Sequence, residues 1–124
     1  MSDARHYRAT FQDVSGTQIV LAATGDTTLV TGKTDYAIYI QRIVVWIETD
    51  AAQSMAFNDS ATTPIQIAKV TTSPGASTRW EFAYGDVGVK LTEAKDLIMN
   101  VSAAGLVGVV FWEGYLKQND TLTL

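Results

Sequence analysis

Residues Tyr36 to Glu48 read YAIYIQRIVVWIE, a stretch that is extended in character yet apolar at nearly every position. A strand sends alternate side chains to opposite faces, which groups Ile38, Ile40, Val44 and Trp46 on one side and Tyr39, Ile43, Val45 and Ile47 on the other. Only one of those faces can line the core of a two-layer β domain. The other must meet something as well, and a second subunit or a large assembly is the expected partner. Val109 to Leu116 (VVFWEGYL) repeats the pattern, with Val109, Phe111 and Tyr115 opposed to Val110, Trp112 and Leu116. The expectation is that both strands share a sheet and form a subunit interface through Tyr39, Ile43, Val45, Ile47, Val109, Phe111 and Tyr115. Trp46 and Trp112 each sit in such a strand, so one is expected in the core and the other at the interface.

Around these two segments, strand signals recur at short intervals. They cover Arg8 to Phe11, Thr17 to Ala23, Thr27 to Val30, Ala37 to Thr49, Gln53 to Asn58, Ile65 to Val70, Ser77 to Tyr84, Val87 to Leu91, Leu97 to Ala103 and Val107 to Lys117. Trp80, Phe82 and Tyr84 alternate with Arg79, Glu81 and Ala83, as a half-buried strand requires, and Trp80 is read as core. The breaks carry Gly, Asn, Asp, Ser and Pro, as in Ser15-Gly16, Gly25-Asp26, Asn58-Asp59-Ser60, Ser73-Pro74-Gly75 and Gly85-Asp86. No segment of helical length is amphipathic at period 3.6; Leu91 to Leu97 could form one or two turns at most. Strands without crossover helices predict an all-β fold, an antiparallel β-sandwich that is jelly-roll-like. One domain spans residues 1–124, with a short N-terminal arm (about 1–7) and a C-terminal tail (about 119–124).

With 47% hydrophobic and 18% charged residues, the chain has the composition of a globular protein and not of a disordered one. A formal charge of −4 argues against general nucleic-acid binding, which needs a basic patch. No apolar run is long enough to span a bilayer, and residues 1–13 lack the apolar core of a signal peptide. Synthesis in a cytoplasm without membrane association is therefore expected.

Site chemistry is sparse. There is no cysteine, hence no thiolate nucleophile and no thiolate metal site. The one histidine, His6, lies between Arg5 and Tyr7 and reads as an exposed arm residue in want of a partner ligand. Asp50, Asp59, Glu81, Asp86, Glu93, Asp96 and Glu113 read as solvated turn and surface charges, and the oxygen spacing of a calcium loop is missing around Asn58 and Asp59. No phosphate-binding glycine loop is present. No catalytic, cofactor-binding or metal-ligating residue is assigned. Arg42 and Glu113 interrupt the two apolar strands, so each must reach water or a partner, and the other is one such partner.

The segment from Leu91 to Tyr115, LTEAKDLIMNVSAAGLVGVVFWEGY, resembles small β-sandwich virion proteins of tailed bacteriophages. A polar lead-in ends at Lys95 and Asp96. The strand Leu97 to Val101, the link Ser102-Ala103-Ala104-Gly105 and a final strand follow. Gly25 to Val30, the long strand Ile38 to Ile47, and Ala51 to Phe57 extend the likeness over most of residues 25 to 116. These are turn and strand patterns without chemical signatures, and the tryptophans of the long strands depart from them. The resemblance implies a jelly-roll-like fold, frequently trimeric, that serves as a capsid decoration or cement protein or as a module of head or tail fibres. It implies no catalytic residues.

The resulting expectation is a non-enzymatic virion protein, a homotrimer bound to the major capsid protein or another virion protein. A receptor- or glycan-binding module of a head or tail fibre is the alternative. Exposed aromatics in a groove would favour the alternative, and a flat apolar face would favour cement.

Overall fold

A computed structural model describes residues 11–21, 25–49, 54–71, 76–102 and 107–119. Ten strands run along them: β1 (Phe11–Asp13), β2 (Gly16–Leu21), β3 (Gly25–Val30), β4 (Tyr36–Thr49), β5 (Ser54–Asp59), β6 (Gln66–Thr71), β7 (Ala76–Ala83), β8 (Val89–Lys90), β9 (Leu97–Val101) and β10 (Val107–Gln118). There is no α-helix among the described residues, and Leu91 to Leu97 forms a turn. His6 and the arm it was assigned to lie outside the described residues, as does the tail beyond Asn119.

The pairing is nested. β2 pairs with β10, β3 with β9, β4 with β7 and β5 with β6, every pair antiparallel. A long hairpin paired in this way, and rolled so that β10 also meets β4 and β9 also meets β5, closes into two sheets. Their orders are β2-β10-β4-β7, with β1 and β8 flanking, and β3-β9-β5-β6. Two four-strand sheets related by a rolled hairpin are a jelly roll, so the fold class read from the sequence holds.

Between the sheets, Ile38, Ile40, Ile43, Val45, Ile47, Val110, Trp112 and Leu116 of one sheet pack on Met55, Phe57, Ala68, Val70, Leu97, Met99 and Val101 of the other. Trp80, Phe82 and Tyr84 border this core, as their alternation predicts. The Tyr84 hydroxyl donates to the Ile67 carbonyl across the sheets at 2.5 Å, and burial raises its pKa, which keeps it a donor.

The face assignment of β4 is corrected. Ile43, Val45 and Ile47 are 0–1% exposed and lie in the core beside Ile38 and Ile40, so they do not form an outer surface. The cause is a β-bulge. Glu113 pairs with Arg42 but Gly114 pairs with Ile40, which leaves Gln41 as an extra residue. One extra residue reverses the parity of everything after it. Gln41 is held in place at both ends: its carbonyl accepts from the Tyr84 N–H (2.8 Å), and its side-chain amide donates to the Asp86 carbonyl (2.6 Å). Opposite it, a Cβ on Gly114 would come within 2.5 Å of the Tyr39 carbonyl oxygen, so the bulge admits only glycine there. In β10 no such shift intervenes before Glu113, and Val110 and Trp112 face inward against an exposed Phe111, as read from the sequence.

A second correction concerns Asp59, which is fully buried and not a solvated turn charge. Its Oδ1 accepts from the N–H groups of Ala61 (3.2 Å) and Ile65 (3.0 Å), and Oδ2 accepts from that of Thr92 (2.9 Å). The carboxylate thus ties the β5–β6 turn to the loop after β8. Beside it, Asp96 accepts from the Gly32 N–H at 2.6 Å and donates its own N–H to the Ser60 hydroxyl at 2.9 Å. Burial pushes the Asp59 pKa up, but the hydrogen bonds from Thr92, Ile65 and Ala61 outweigh it and hold the group below its ordinary value.

Val45→Asp places a charge in the intersheet core, so it should lower unfolding free energy by about 3–5 kcal/mol, read by urea denaturation beside the parent at one fixed protein concentration. Asp59→Ala should cost about 2–4 kcal/mol by orphaning three backbone donors. Because the folded pKa is depressed, the Asp59 contribution is complete above the ordinary carboxylate range and is lost as pH falls through the folded value. The stability of the parent should therefore drop more steeply than that of Asp59→Asn when unfolding is measured at successively lower pH.

Candidate functional site

The outer face of the β2-β10-β4-β7 sheet carries the groups that the core does not use. Once the bulge has set the parity, Tyr39, Arg42, Val44 and Trp46 of β4 project outward beside Val109, Phe111, Glu113 and Tyr115 of β10. Of the seven interface residues expected from sequence, the structure keeps Tyr39, Val109, Phe111 and Tyr115 on this face. Trp46, assigned to the opposite side from Tyr39, joins them at 57% exposure, whereas Trp112 is buried. One tryptophan is in the core and the other on the surface.

Three zones succeed one another along the strands. At the end near Gln118, Tyr39 and Tyr115 are cross-strand partners whose parallel rings stack at 5.2 Å, and Phe11 packs on Tyr115 at 5.7 Å. The Lys117 ammonium lies 5.8 Å from the Tyr39 ring centre. The Tyr115 hydroxyl donates to the Val87 carbonyl at 2.7 Å; burial, and then Tyr39 beside it, raise its pKa. Phe11 (54% exposed) and Val87 (69%) complete an apolar patch whose rings are already fixed by each other.

The middle zone is ionic. Arg42 Nε donates to Glu113 Oε1 at 2.8 Å and Nη1 to Glu81 Oε2 at 3.2 Å, while Arg79 Nη2 reaches Glu81 Oε1 at 3.4 Å. The two charges that interrupt the apolar strands are therefore partners. Because all four side chains are substantially exposed, the network contributes little to stability and serves to orient its members.

Beyond it, an open groove of about 480 Å³ crosses the sheet from Thr17 on β2 to Arg79 on β7. Its apolar surface comes from Val44, Trp46 and Phe111, and its polar rim from Ser15, Thr17, Arg42, Arg79 and Glu113. Trp112 also reaches it from the core side: the indole occupies the space a Gly16 side chain would take, where a Cβ would lie 2.6 Å from the ring, and its Nε1 donates to the Val14 carbonyl at 2.8 Å. Neither Trp46 nor the groove is legible from strict alternation, since both depend on the residue inserted at Gln41.

No protein-family model and no curated protein matches the chain. Solved structures resembling it include the virus-like particle protein of the extra small virus of the prawn Macrobrachium rosenbergii (14% identity, 90% of this chain and 81% of that one, TM-score 0.46). The tobacco streak virus coat protein is similar at 10% identity over 93% and 90% of the two chains, with a TM-score of 0.44. A family 6 carbohydrate-binding module is similar at 11% identity over 91% of each, with a TM-score of 0.42. Bacillus endospore appendage pili are similar too, at 12% identity over 90% of each chain with a TM-score of 0.45, so the neighbours include viral capsid, pilus and carbohydrate-binding proteins. At such identities neither residue roles nor functions transfer from them.

Gly16→Ala tests the Trp112 seat. The added methyl should displace the indole, break its bond to Val14 and cost about 1–3 kcal/mol, with a red-shifted tryptophan emission as the readout.

Proposed function

We propose that this chain is a non-enzymatic structural protein of a virus particle, a capsid decoration or cement protein of a tailed bacteriophage that acts as a homotrimer. The observation that carries the reading is the patch of Phe11, Tyr39, Tyr115 and Val87. Tyr39 and Tyr115 are stacked and Phe11 packs tilted against Tyr115 before any partner arrives, so little side-chain entropy remains to be lost on association. Burial of such a patch is worth roughly 25 cal/mol per Å² before association costs. The intersheet core is complete without it, which leaves the patch for contact with another copy or with the major capsid protein. Ile43, Val45 and Ile47 have no part in this surface. Val109 and Phe111, across the ionic zone, belong with the groove.

The groove favours a second reading, a receptor- or glycan-binding module of a phage head or tail fibre. Exposed aromatic side chains beside fixed polar groups are what such a site needs. The two readings use different ends of one face and are separable by mutation.

Light scattering coupled to size exclusion tests the first. The parent should elute with the mass of a trimer and sediment with capsids of the particle that carries it. Phe11→Asp and Val87→Asp alter exposed positions, so they should fold, elute as monomers and remain in the supernatant. A parent that stays monomeric at micromolar concentration and does not sediment with capsids would sink the proposal.

A further inference from the structure

The groove has a chemical character that narrows what it can hold. Its apolar part is flat and aromatic, supplied by the exposed Trp46 and by Phe111 at 48% exposure. Its polar part consists of charges already paired: Arg42 bridges Glu113 and Glu81, and Glu81 holds Arg79. Arg42, Arg79 and Glu113 line the groove and Glu81, outside the lining, pairs with both arginines, so the network of two guanidinium groups and two carboxylates sums to zero and offers donors and acceptors at fixed positions. An anionic ligand would gain at the arginines what it loses at the glutamates. An apolar protein surface laid over the groove would strip water from four charges without replacing its hydrogen bonds, at a cost of several kcal/mol per ion. A sugar ring meets neither objection. Its axial C–H face is apolar and stacks on an indole, and its equatorial hydroxyls both donate and accept, so the ion network stays hydrogen-bonded once water is displaced. The volume of about 480 Å³ suits one or two such rings.

We infer that the groove binds a neutral pyranose of a glycan, with the ring stacked on Trp46 and its hydroxyls held by Arg79 and Glu113. The inference rests on the glycan-binding reading above and adds the charge class of the sugar and the residues that take it. Trp46 and Arg79 are cross-strand partners, so one hexose can touch both. Phe111 pairs with Val44 in the neighbouring row and adds a second aromatic surface to the groove. Ser15 and Thr17 sit at the far rim, where a second ring would extend.

The test titrates the full chain with a panel of neutral disaccharides in gluco, galacto, manno and xylo configuration, and with uronic-acid and sulfated counterparts, following tryptophan emission and heat. Saturable binding of a neutral disaccharide is expected. Its affinity should change less than about twofold between low and high salt, because no net charge is neutralised. Trp46→Ala should weaken binding at least tenfold, and Arg79→Met severalfold, whereas Lys69→Ala, exposed on the other sheet, should leave it unchanged. Trp46 is exposed, so loss of its indole should spare the fold, and Trp46→Phe should retain part of the affinity. Binding confined to the acidic sugars would overturn the neutral assignment and leave the glycan-binding reading standing. No binding of any sugar in the panel would overturn both. Undiminished binding by Trp46→Ala would place the site elsewhere, and a change in oligomer mass in that variant without sugar binding would make the groove a protein contact.

Discussion

The bulge at Gln41 is the constraint on which the rest of this structure depends. β4 is long enough to cross the whole sheet, and a strictly alternating strand of that length would carry Ile43, Val45 and Ile47 to solvent and Trp46 into the core. The extra residue reverses that. The dislocation also runs across the sheet. The β1–β2 break at Val14 and Ser15 falls opposite Gly114: the Val14 N–H donates to the Gly114 carbonyl, and the Gly114 N–H donates to the Ser15 hydroxyl. On the other side the chain leaves β7 at Tyr84. A single line of irregular pairing thus divides the outer face, with the tyrosine stack on one side of it and the groove on the other.

Most of the secondary structure was legible. Alternation and turn residues located β2 to β10 to within a few residues, whereas the strand expected over Arg8 to Phe11 meets β1 only at Phe11, its other residues lying outside the described ones; the nested pairing is one that such strands can adopt, although periodicity alone does not order them. The inward parity of β10 was legible because its alternation is unbroken through Trp112. That of β4 was not, since a bulge leaves no mark in hydropathy. Two signals were nevertheless present: a polar Gln41-Arg42 pair within an apolar strand, and a glycine, Gly114, where the partner strand had to come close. Asp59 was misread for a similar reason. Its neighbours Asn58 and Ser60 look like a turn, yet Met55, Phe57 and Asp59 continue one inward-facing series, and that alternation outranked the local composition. For Arg42 and Glu113 the sequence leaves water or a partner open, with the other as one such partner, and the structure pairs them.

The two kinds of charge have opposite duties. Asp59 is buried, accepts from three backbone N–H groups and joins the β5–β6 turn to the loop after β8. The network of Arg42, Arg79, Glu81 and Glu113 lies in water and bonds only side chain to side chain. The first is a structural joint whose loss orphans three backbone donors. The second fixes the orientation of surface groups at small energetic cost. Loop anchoring and the ordering of the outer face are therefore carried by different acids, and surface residues can vary without touching the core.

Nested pairing also imposes an order in time. β5 and β6 are joined by a short turn and can close as soon as they exist, whereas β2 finds its partner only in β10, with Gly16 opposite Trp112. β4 is apolar on both faces and has β10 as its longest partner, so one edge of it stays unpaired while the intervening chain is made. Distant pairing of this kind makes folding slow, and an open apolar edge is the state most exposed to wrong partners. Long before the finished protein meets anything through its outer face, the nascent chain must keep that edge to itself.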